Sequence, residues 1–555
     1  MSHPFDRYAG FTDLKALNVA SAKSLRKSMR VNTLKCSIDE FKKWAKEKSW
    51  KIDPVPWCRE GFYVDRENRD EALGKDLLHV LGYVYMQEAA SMLPVALLDP
   101  KPGEVILDMS AAPGSKTTQI ACSLTPACRQ AGQPPLPART RQTSVGLAEP
   151  VRSGGPRGEG QLDSEFGVSP FPPRGKGLGD EGGRGLVVAS DVQEKRLWSL
   201  LTNLQRCGVV GSLVTRKVGQ WFAGNMTEKF DRVLCDAPCT AQGTVRKDSD
   251  ALDYCSAENT GKMAKLQREL LESAVHACKV SGRIVYSTCT LTPEENEGVV
   301  LSVLNKFSDQ LVVVDPKEIF GSTSELGRRV PDMGFDIARA IEDSIKVQQS
   351  LKNNFSLSTL HFPLLRLWPQ TYDTEGFFSA VLEKRAPTRE RSRWSDPPHR
   401  YELIPKARVK EMADRLEDWF GTSFIEEGEV LLTQRDQICI VSESAIDLKL
   451  PMQPYYIGLP FGKFTDHGLP RLSHEMATLR GHRATKQVLG LKLEQLKEIF
   501  KGVNIPSLTS GFDDGDVLLA LEENALGRPM VFGRGMLKKG VVLNRLPRDI
   551  VGMFT

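Results

Sequence analysis

The sequence predicts an α/β protein built on a doubly wound, mostly parallel sheet, with an N-terminal extension before it and β-rich modules after it. Three observations carry this prediction. Apolar β-branched runs alternate with amphipathic helical stretches from about residue 104 to 288, the order that feeds a parallel sheet. The first run leads into a turn of small residues and a helix start, SAAPGSK (110–116). Two later runs, FDRVLCDAPCT (230–240) and GRIVYSTCTLTPEENEG (282–298), each end in a cysteine followed by Thr, at Cys239 and Cys289. Strand ends in an open α/β sheet are where ligands meet the protein.

The chain of 555 residues is too long for one core and implies roughly two to four domains. With 40% apolar and 26% charged residues it reads as soluble and globular. A net charge of +4 permits a nucleic-acid partner without requiring one. Met1 to Lys15 lacks the charged start and apolar core of a secretory signal, and no apolar run approaches the ~18 residues of a membrane helix, so no membrane partner is expected. The eleven cysteines are scattered and lack CxxC pairs. That pattern predicts reduced thiols, no metal site and a cytoplasmic location.

Taken in order, residues 1–76 form the N-terminal extension. Its stretch SLRKSMRVNTLK (24–35) carries Arg26, Lys27, Arg30 and Lys35 as either a solvated face or an RNA-contacting one. Residues 77–385 form the sheet domain. EVILDMSAAPGSKTTQIAC (104–122) is a buried strand, a turn and a helix, and GLVVASDVQEKRLWSLLTNLQRCG (185–208) repeats the order with a strand ending in Asp191. MAKLQRELLESAVHACK (263–279) is a further helix, and RLWPQTYDTEGFFSAVLEKR (366–385) closes the sheet. Between them, residues 123–184 are rich in Pro, Gly and Arg and poor in aliphatics, a composition that predicts a disordered insertion. Residues 386–400 read as a linker, 401–460 as a small mixed α/β module and 461–555 as a β-rich module.

In the SAAPGSK turn, Gly114 permits dihedrals closed to other residues, and the following helix offers N-terminal amides to a carboxylate or phosphate. The turn is neither a GxGxxG fingerprint nor a Walker loop. Asp191 stands where an acid binds ribose hydroxyls, or where it caps a helix. Together they point to a nucleoside cofactor whose charged tail is an amino acid, a description that S-adenosylmethionine fits. Each cysteine alone is read as a buried small hydrophobe or as a reactive thiol.

RVNTLK (30–35), MQEAASMLP (86–94), LDMSAAPGSKTTQ (107–119), DAPCT (236–240), YSTCTLTPEENE (286–297) and LWPQTYDTEGFF (367–378) together resemble the Sun (NOL/NOP/Sun, RsmB/RsmF-type) family of S-adenosylmethionine-dependent RNA cytosine-C5 methyltransferases. The resemblance covers most of residues 5–385 outside the insertion. It implies a Rossmann-like class I methyltransferase sheet at 77–385, RNA binding by the extension, and a PUA-like RNA-binding module at 461–555. It further implies that Cys289 is the nucleophile toward cytosine C6, that Cys239 assists proton removal or product release, and that Asp236 contacts the base and cofactor. Lys116 would favour the thiolate. Cofactor contacts would come from Ser110, Ala111, Ala112, Pro113, Gly114, Ser115, Lys116, Asp191 and Asp236.

The substrate base must be single-stranded or extruded, and Arg26, Arg30, Arg246 and Lys247 are candidate phosphate contacts, with solvated surface charge as the alternative. One departure is Val218 in TRKVGQWF, where the family places an acid that contacts adenine. Ribosomal RNA is the first expected substrate and tRNA the second, with the enzyme acting as a monomer. The rivals are a non-catalytic RNA-binding or ribosome-assembly protein and a DNA cytosine methyltransferase. Cys289, Cys239 and Asp236 disfavour the former, because binding alone needs no thiol at a strand end, and RVNTLK and STCT disfavour the latter.

Overall fold

A computed structural model describes residues 5–67, 72–125, 184–253, 255–321, 335–351, 361–391, 401–465, 470–506, 512–524, 526–548 and 551. Strands β1 (Ser28–Val31), β2 (Lys51–Val55), β3 (Cys58–Asp65) and β4 (Val84–Met86) form an antiparallel sheet in the order β2-β3-β1-β4. β1 is buried at every position because it lies inside this sheet. The basic stretch around it is therefore not a uniform outward face.

Five strands make the parallel core of the central sheet: β5 (Val105–Asp108), β6 (Leu186–Ser190), β7 (Ser212–Thr215), β8 (Phe230–Asp236) and β9 (Cys278–Thr288). Their spatial order is β7-β6-β5-β8-β9, so the winding reverses between β5 and β8, the place where open α/β sheets bind ligands. Every residue of β5 and β6 is buried, as expected for strands covered on both faces. β10 (Leu311–Val313), β11 (Leu365–Leu367) and β12 (Phe377–Lys384) extend the sheet antiparallel beyond β9. The helix expected over 263–279 runs instead from Ala257 to Ala277. Ser256 caps its start by accepting from the Asn259 amide, and β9 takes over at Cys278.

Beyond residue 400 the strands Glu402–Leu403, Glu429–Gln434, Gln437–Ser442, Leu459–Phe464 and Pro470–Leu472 form one five-stranded antiparallel sheet. The expected border at 460/461 thus falls inside a strand that pairs on both sides. The short strand Tyr456–Ile457 adds to the edge of the central sheet beside β7. A last five-stranded sheet follows, between Val488 and Asn544. No helix among the described residues is long and apolar enough to cross a membrane.

The two ends of the chain share a core, in which Met29, Phe41 and Trp44 cluster with Phe500 and Phe532. Arg528 Nε donates to Glu40 Oε1 at 2.7 Å and its Nη2 to the Lys35 carbonyl at 2.7 Å. Lys35 is buried, and its Nζ donates to the carbonyls of Leu81 and Arg206, each at 2.9 Å, and to Thr478 Oγ1 at 3.1 Å. Burial pulls its amine down to about 7.

Residues 126–183 of the expected insertion and 392–400 of the expected linker lie outside the described residues. The flanks of the insertion belong to the fold. Its first residues finish the helix Ser115–Leu124, and Arg184 is buried, pairing with Glu426 and, at 2.9 Å, with Glu429. The Gly185 amide donates to the Leu124 carbonyl at 3.3 Å, so the chain leaves and re-enters at one point. Replacing 126–183 by a Gly/Ser linker of about six residues should therefore preserve cooperative unfolding and stabilise the fold by about 2 kcal/mol through the shorter loop closure. Urea titration of both proteins measures this; a lost or broadened transition would mean that the segment contributes to the core.

Candidate functional site

The site begins at the end of β5. Asp108 is buried; Thr117 Oγ1 donates to its Oδ2 at 2.7 Å, while Oδ1 is buried without a hydrogen-bond partner. Burial, with Asp236 nearby adding repulsion, pushes this carboxyl up to about 6, against the pull of the Thr117 hydrogen bond. The small-residue turn is held from three sides. The Ala111 amide donates to the Ser190 carbonyl at 2.9 Å, Arg196 donates to the Ala112 carbonyl at 2.5 Å, and Asn203 Nδ2 donates to the Pro113 carbonyl at 2.9 Å. Ala112–Pro113 is a cis peptide, and Gly114 takes φ +108°, which favours glycine. Ala111 and Ala112 are buried, Pro113 is exposed, and Ser110 and Ser115 lie between these limits at the mouth of the Ser115–Leu124 helix.

Asp191 follows β6 and is 3% exposed. Its Oδ1 accepts from the Gln193 amide at 3.0 Å, and Arg196 stands 3.4 Å from Oδ2. It therefore turns the chain into the Glu194–Cys207 helix while keeping a carboxylate at the strand end. Val218, after β7, is 53% exposed, and its carbonyl accepts from the Trp221 amide. Its side chain brings no polar group to this end of the sheet.

Across the reversal, β8 delivers Asp236. Its Oδ1 accepts from Ser287 Oγ at 2.7 Å and its Oδ2 from Lys116 Nζ at 2.8 Å. Burial lowers the Lys116 amine, but Asp236 more than offsets this and leaves it raised. The Phe377 ring lies 5.7 Å from Lys116 Nζ. The two strand-end cysteines meet: Cys239 Sγ is 3.4 Å from Cys289 Sγ. Contact with Cys289, then burial, pushes the Cys239 thiol well up.

The cysteine loops are tied together by Glu295, which is wholly buried. It accepts from the Thr240 amide at 3.0 Å, the Thr240 hydroxyl, Thr292 Oγ1 at 2.7 Å and Gln267 Nε2 at 2.8 Å. The Gly243 amide donates to the Cys289 carbonyl at 2.9 Å. A Cβ on Gly243 would lie 2.1 Å from the Gly376 carbonyl oxygen, so only glycine fits this approach.

The structure thus brings Lys116, Asp236, Cys239 and Cys289 into one cluster, with the Ser110–Ser115 turn and Asp191 at neighbouring strand ends. It corrects two of the expected RNA contacts. Arg30 is buried, 1% exposed, and faces inward, donating to Gln87 Oε1 at 2.9 Å and Thr118 Oγ1 at 2.8 Å. It braces the N-terminal sheet against the helix Ser115–Leu124, because β1 is an interior strand. Arg246 spends its guanidinium on the carbonyls of Lys23, Ser24 and Thr374 and on Asp373. Lys35, in the same basic stretch, is likewise internal. Lys247 is exposed, and Arg26 is exposed beside Asp53 at 2.7 Å, with its guanidinium over the Tyr63 ring.

Sequence reasoning left Asp108 and Glu295 without roles, although both stand inside quoted motifs. Their strand-end and post-cysteine positions were the available signal. It also missed the pair Glu88 and Glu375. Glu88 Oε1 accepts from the Glu375 amide at 3.3 Å, and burial followed by repulsion from Glu375 lifts its carboxyl to about 7.

Comparison with known proteins bears on the same residues. Residues 181–383 match the family model described as 16S rRNA methyltransferase RsmB/F, and residues 9–89 match that of the N-terminal domain of 16S rRNA methyltransferase RsmF. The chain is 30% identical over 546 residues to the ribosomal RNA small subunit methyltransferase F of Vibrio cholerae serotype O1, covering 97% of this chain and 94% of that protein. It is 30% identical over 534 residues to the protein of that name from Aeromonas salmonicida, covering 95% and 91%. For that from Psychromonas ingrahamii the values are 29% over 546 residues, 95% and 91%. The match runs through the N-terminal sheet, the cysteine loops and the C-terminal sheets alike, and the chain belongs to the RsmB/RsmF family of 16S rRNA methyltransferases.

Proposed function

We propose that the protein is an S-adenosylmethionine-dependent RNA cytosine-C5 methyltransferase acting on small-subunit ribosomal RNA. The observation that carries this reading is the pair of strand-end thiols 3.4 Å apart beside the Lys116–Asp236 ion pair. An RNA-binding protein without chemistry has no use for two thiols at that point.

The donor set fits the cofactor. Asp108 keeps an unpaired buried oxygen for an ammonium group. The Gly114 turn and the first amides of the Ser115–Leu124 helix suit a carboxylate, and the Asp191 carboxylate suits ribose hydroxyls. When bound, S-adenosylmethionine supplies an electrophilic methyl group on a sulfonium.

In this reading Cys289, as thiolate, adds to cytosine C6, and the ring gains the electron density that makes C5 nucleophilic. Lys116 offsets negative charge near the thiolate, and Asp236 faces the polar edge of the base. Once Cys289 is bonded to carbon its contact with Cys239 is changed and the first cause of the raised Cys239 pKa is removed, while burial continues to raise the thiol. Cys239, once it has given its own proton to solvent, can then act as a thiolate base and take the C5 proton. The C5–H electron pair re-forms the C5–C6 double bond as the C6–S bond breaks, and the C6–S pair leaves with Cys289 as thiolate.

All of these groups precede residue 385, which supports a catalytic role for residues 77–385 and RNA binding by the extension and by the sheets after residue 400, with Arg26 and Lys247 as remaining phosphate contacts. Bisulfite sequencing of rRNA and tRNA from cells with and without the gene tests the substrate. Loss of one small-subunit rRNA methylcytosine is expected, whereas loss confined to tRNA would redirect the assignment.

The cysteines should fail differently. Cys289→Ala should abolish both methylation and covalent adduct. Cys239→Ala should attack and methylate, then stay attached to its RNA, giving a slow band on denaturing electrophoresis. The reverse pattern would exchange their roles.

Cofactor affinity should also depend on pH through Asp108. Its folded-state value, about 6, is raised, so the carboxylate is present above pH 6 and is lost as pH falls below it. Calorimetric titration should show S-adenosylmethionine binding weakening as pH drops through about 6, and Asp108→Asn should bind weakly without that dependence. A flat profile in the unsubstituted protein would remove Asp108 from the site.

A further inference from the structure

The first described residues cross the catalytic loops like a strap. Phe5, Tyr8 and Leu17 form a small core with Leu291 and Trp368, and the Tyr8 ring meets Trp368 edge-on at 5.7 Å. Polar groups of the strap reach three loops. Arg7 pairs with Glu294, after Cys289, at 2.5 Å. Gln370 Nε2 donates to Thr12 Oγ1 at 2.6 Å. The Tyr8 hydroxyl donates to Gln242 Oε1, three residues after Cys239.

The Tyr8 contact is the buried one: Tyr8 is 0% and Gln242 1% exposed. Burial raises the phenol far above its ordinary range, so it remains a donor. From Gln242 the link continues through the backbone. The Gly243 amide donates to the Cys289 carbonyl, and the Gly243 carbonyl accepts from the Gly376 amide, both at 2.9 Å. Cys289 has further anchors, since it follows β9 and its neighbour Thr288 donates to Asn296, whose Nδ2 donates to the Thr290 carbonyl at 3.0 Å. The Cys239 loop is held by Gln267 at Pro238, by Glu295 and Thr290 at Thr240, and by Tyr8 at Gln242, the last of these being its tie to the N-terminal strap.

We propose that Tyr8 is a positioning residue for the reaction, holding the Cys239 loop through Gln242 so that this thiol stays in register with Cys289. The inference rests on the cysteine roles proposed above. Losing the hydroxyl should disturb Cys239, which releases product, more than Cys289, which attacks.

Tyr8→Phe tests this because it keeps the ring against Trp368. Single- and multiple-turnover assays would use unmodified small-subunit rRNA transcribed in vitro. Loss of one buried hydrogen bond predicts a fall in kcat of about five- to tenfold. KM for RNA should stay within about twofold of the unsubstituted value. The covalent protein–RNA band on a denaturing gel should exceed that of the unsubstituted enzyme.

Gln242→Met, which removes the acceptor at similar size, should behave alike. The double variant should be no slower than the slower single one, since both remove the same interaction. Unchanged kcat in Tyr8→Phe, slower turnover without adduct, or additive effects in the double variant would each overturn the positioning role. Cys239→Ala run in parallel separates the two claims. If it traps adduct and Tyr8→Phe does not, only the positioning role falls; if the unsubstituted enzyme transfers no methyl group, the functional reading falls and this inference with it.

Discussion

The site depends on a single buried carboxylate. Glu295 lies wholly out of solvent, and its charge is tolerable only because the Thr240 amide and hydroxyl, Thr292 and Gln267 all point donors at it. Two of those donors come from the residue after Cys239, one from the loop after Cys289, and one from the Ala257–Ala277 helix. The requirement to satisfy one charge therefore brings together loops far apart in sequence. The close contact of the two sulfurs follows from it, and so does the demand for glycine at position 243, where the backbones then run too near for a side chain.

Much of this was legible in the sequence because strands buried on both faces write themselves as uninterrupted aliphatic runs. ILD, LVVAS, RVLCD and RIVYST each became a parallel strand, and the residues directly after them line the site. What stayed hidden depends on pairing between distant elements. Nothing local to GKFTDHGLPRL tells that Leu459–Phe464 pairs with strands on both sides, so a border placed by composition cut through it. Tyr8 is equally silent, because its partner Gln242 stands 234 residues away.

The basic residues carry a related lesson. Arg30, Lys35 and Arg246 look alike in sequence to Arg26 and Lys247, yet the first three turn toward carbonyls and hydroxyls inside the protein. Long cationic side chains suit such work because one head group can satisfy several carbonyl oxygens left over at helix ends and turns. Lys35 shows the electrostatic cost, since its amine gives up affinity for a proton to lie there. A count of positive charges therefore overstates the surface that an anionic polymer can meet.

The shared core at the two ends of the chain has a consequence for synthesis. Phe41 and Trp44 emerge from the ribosome well before the Phe500 and Phe532 rings that cluster with them, and the Arg528–Glu40 link spans 488 residues. Until those later rings are made, the N-terminal sheet lacks their cover on part of its apolar face. Contacts of such sequence separation close slowly, and nascent chains with exposed apolar surface are the ones that aggregate or engage chaperones. The parallel sheet folds between two halves of a core that cannot yet meet, so maturation of this enzyme is expected to end, rather than begin, at its amino terminus.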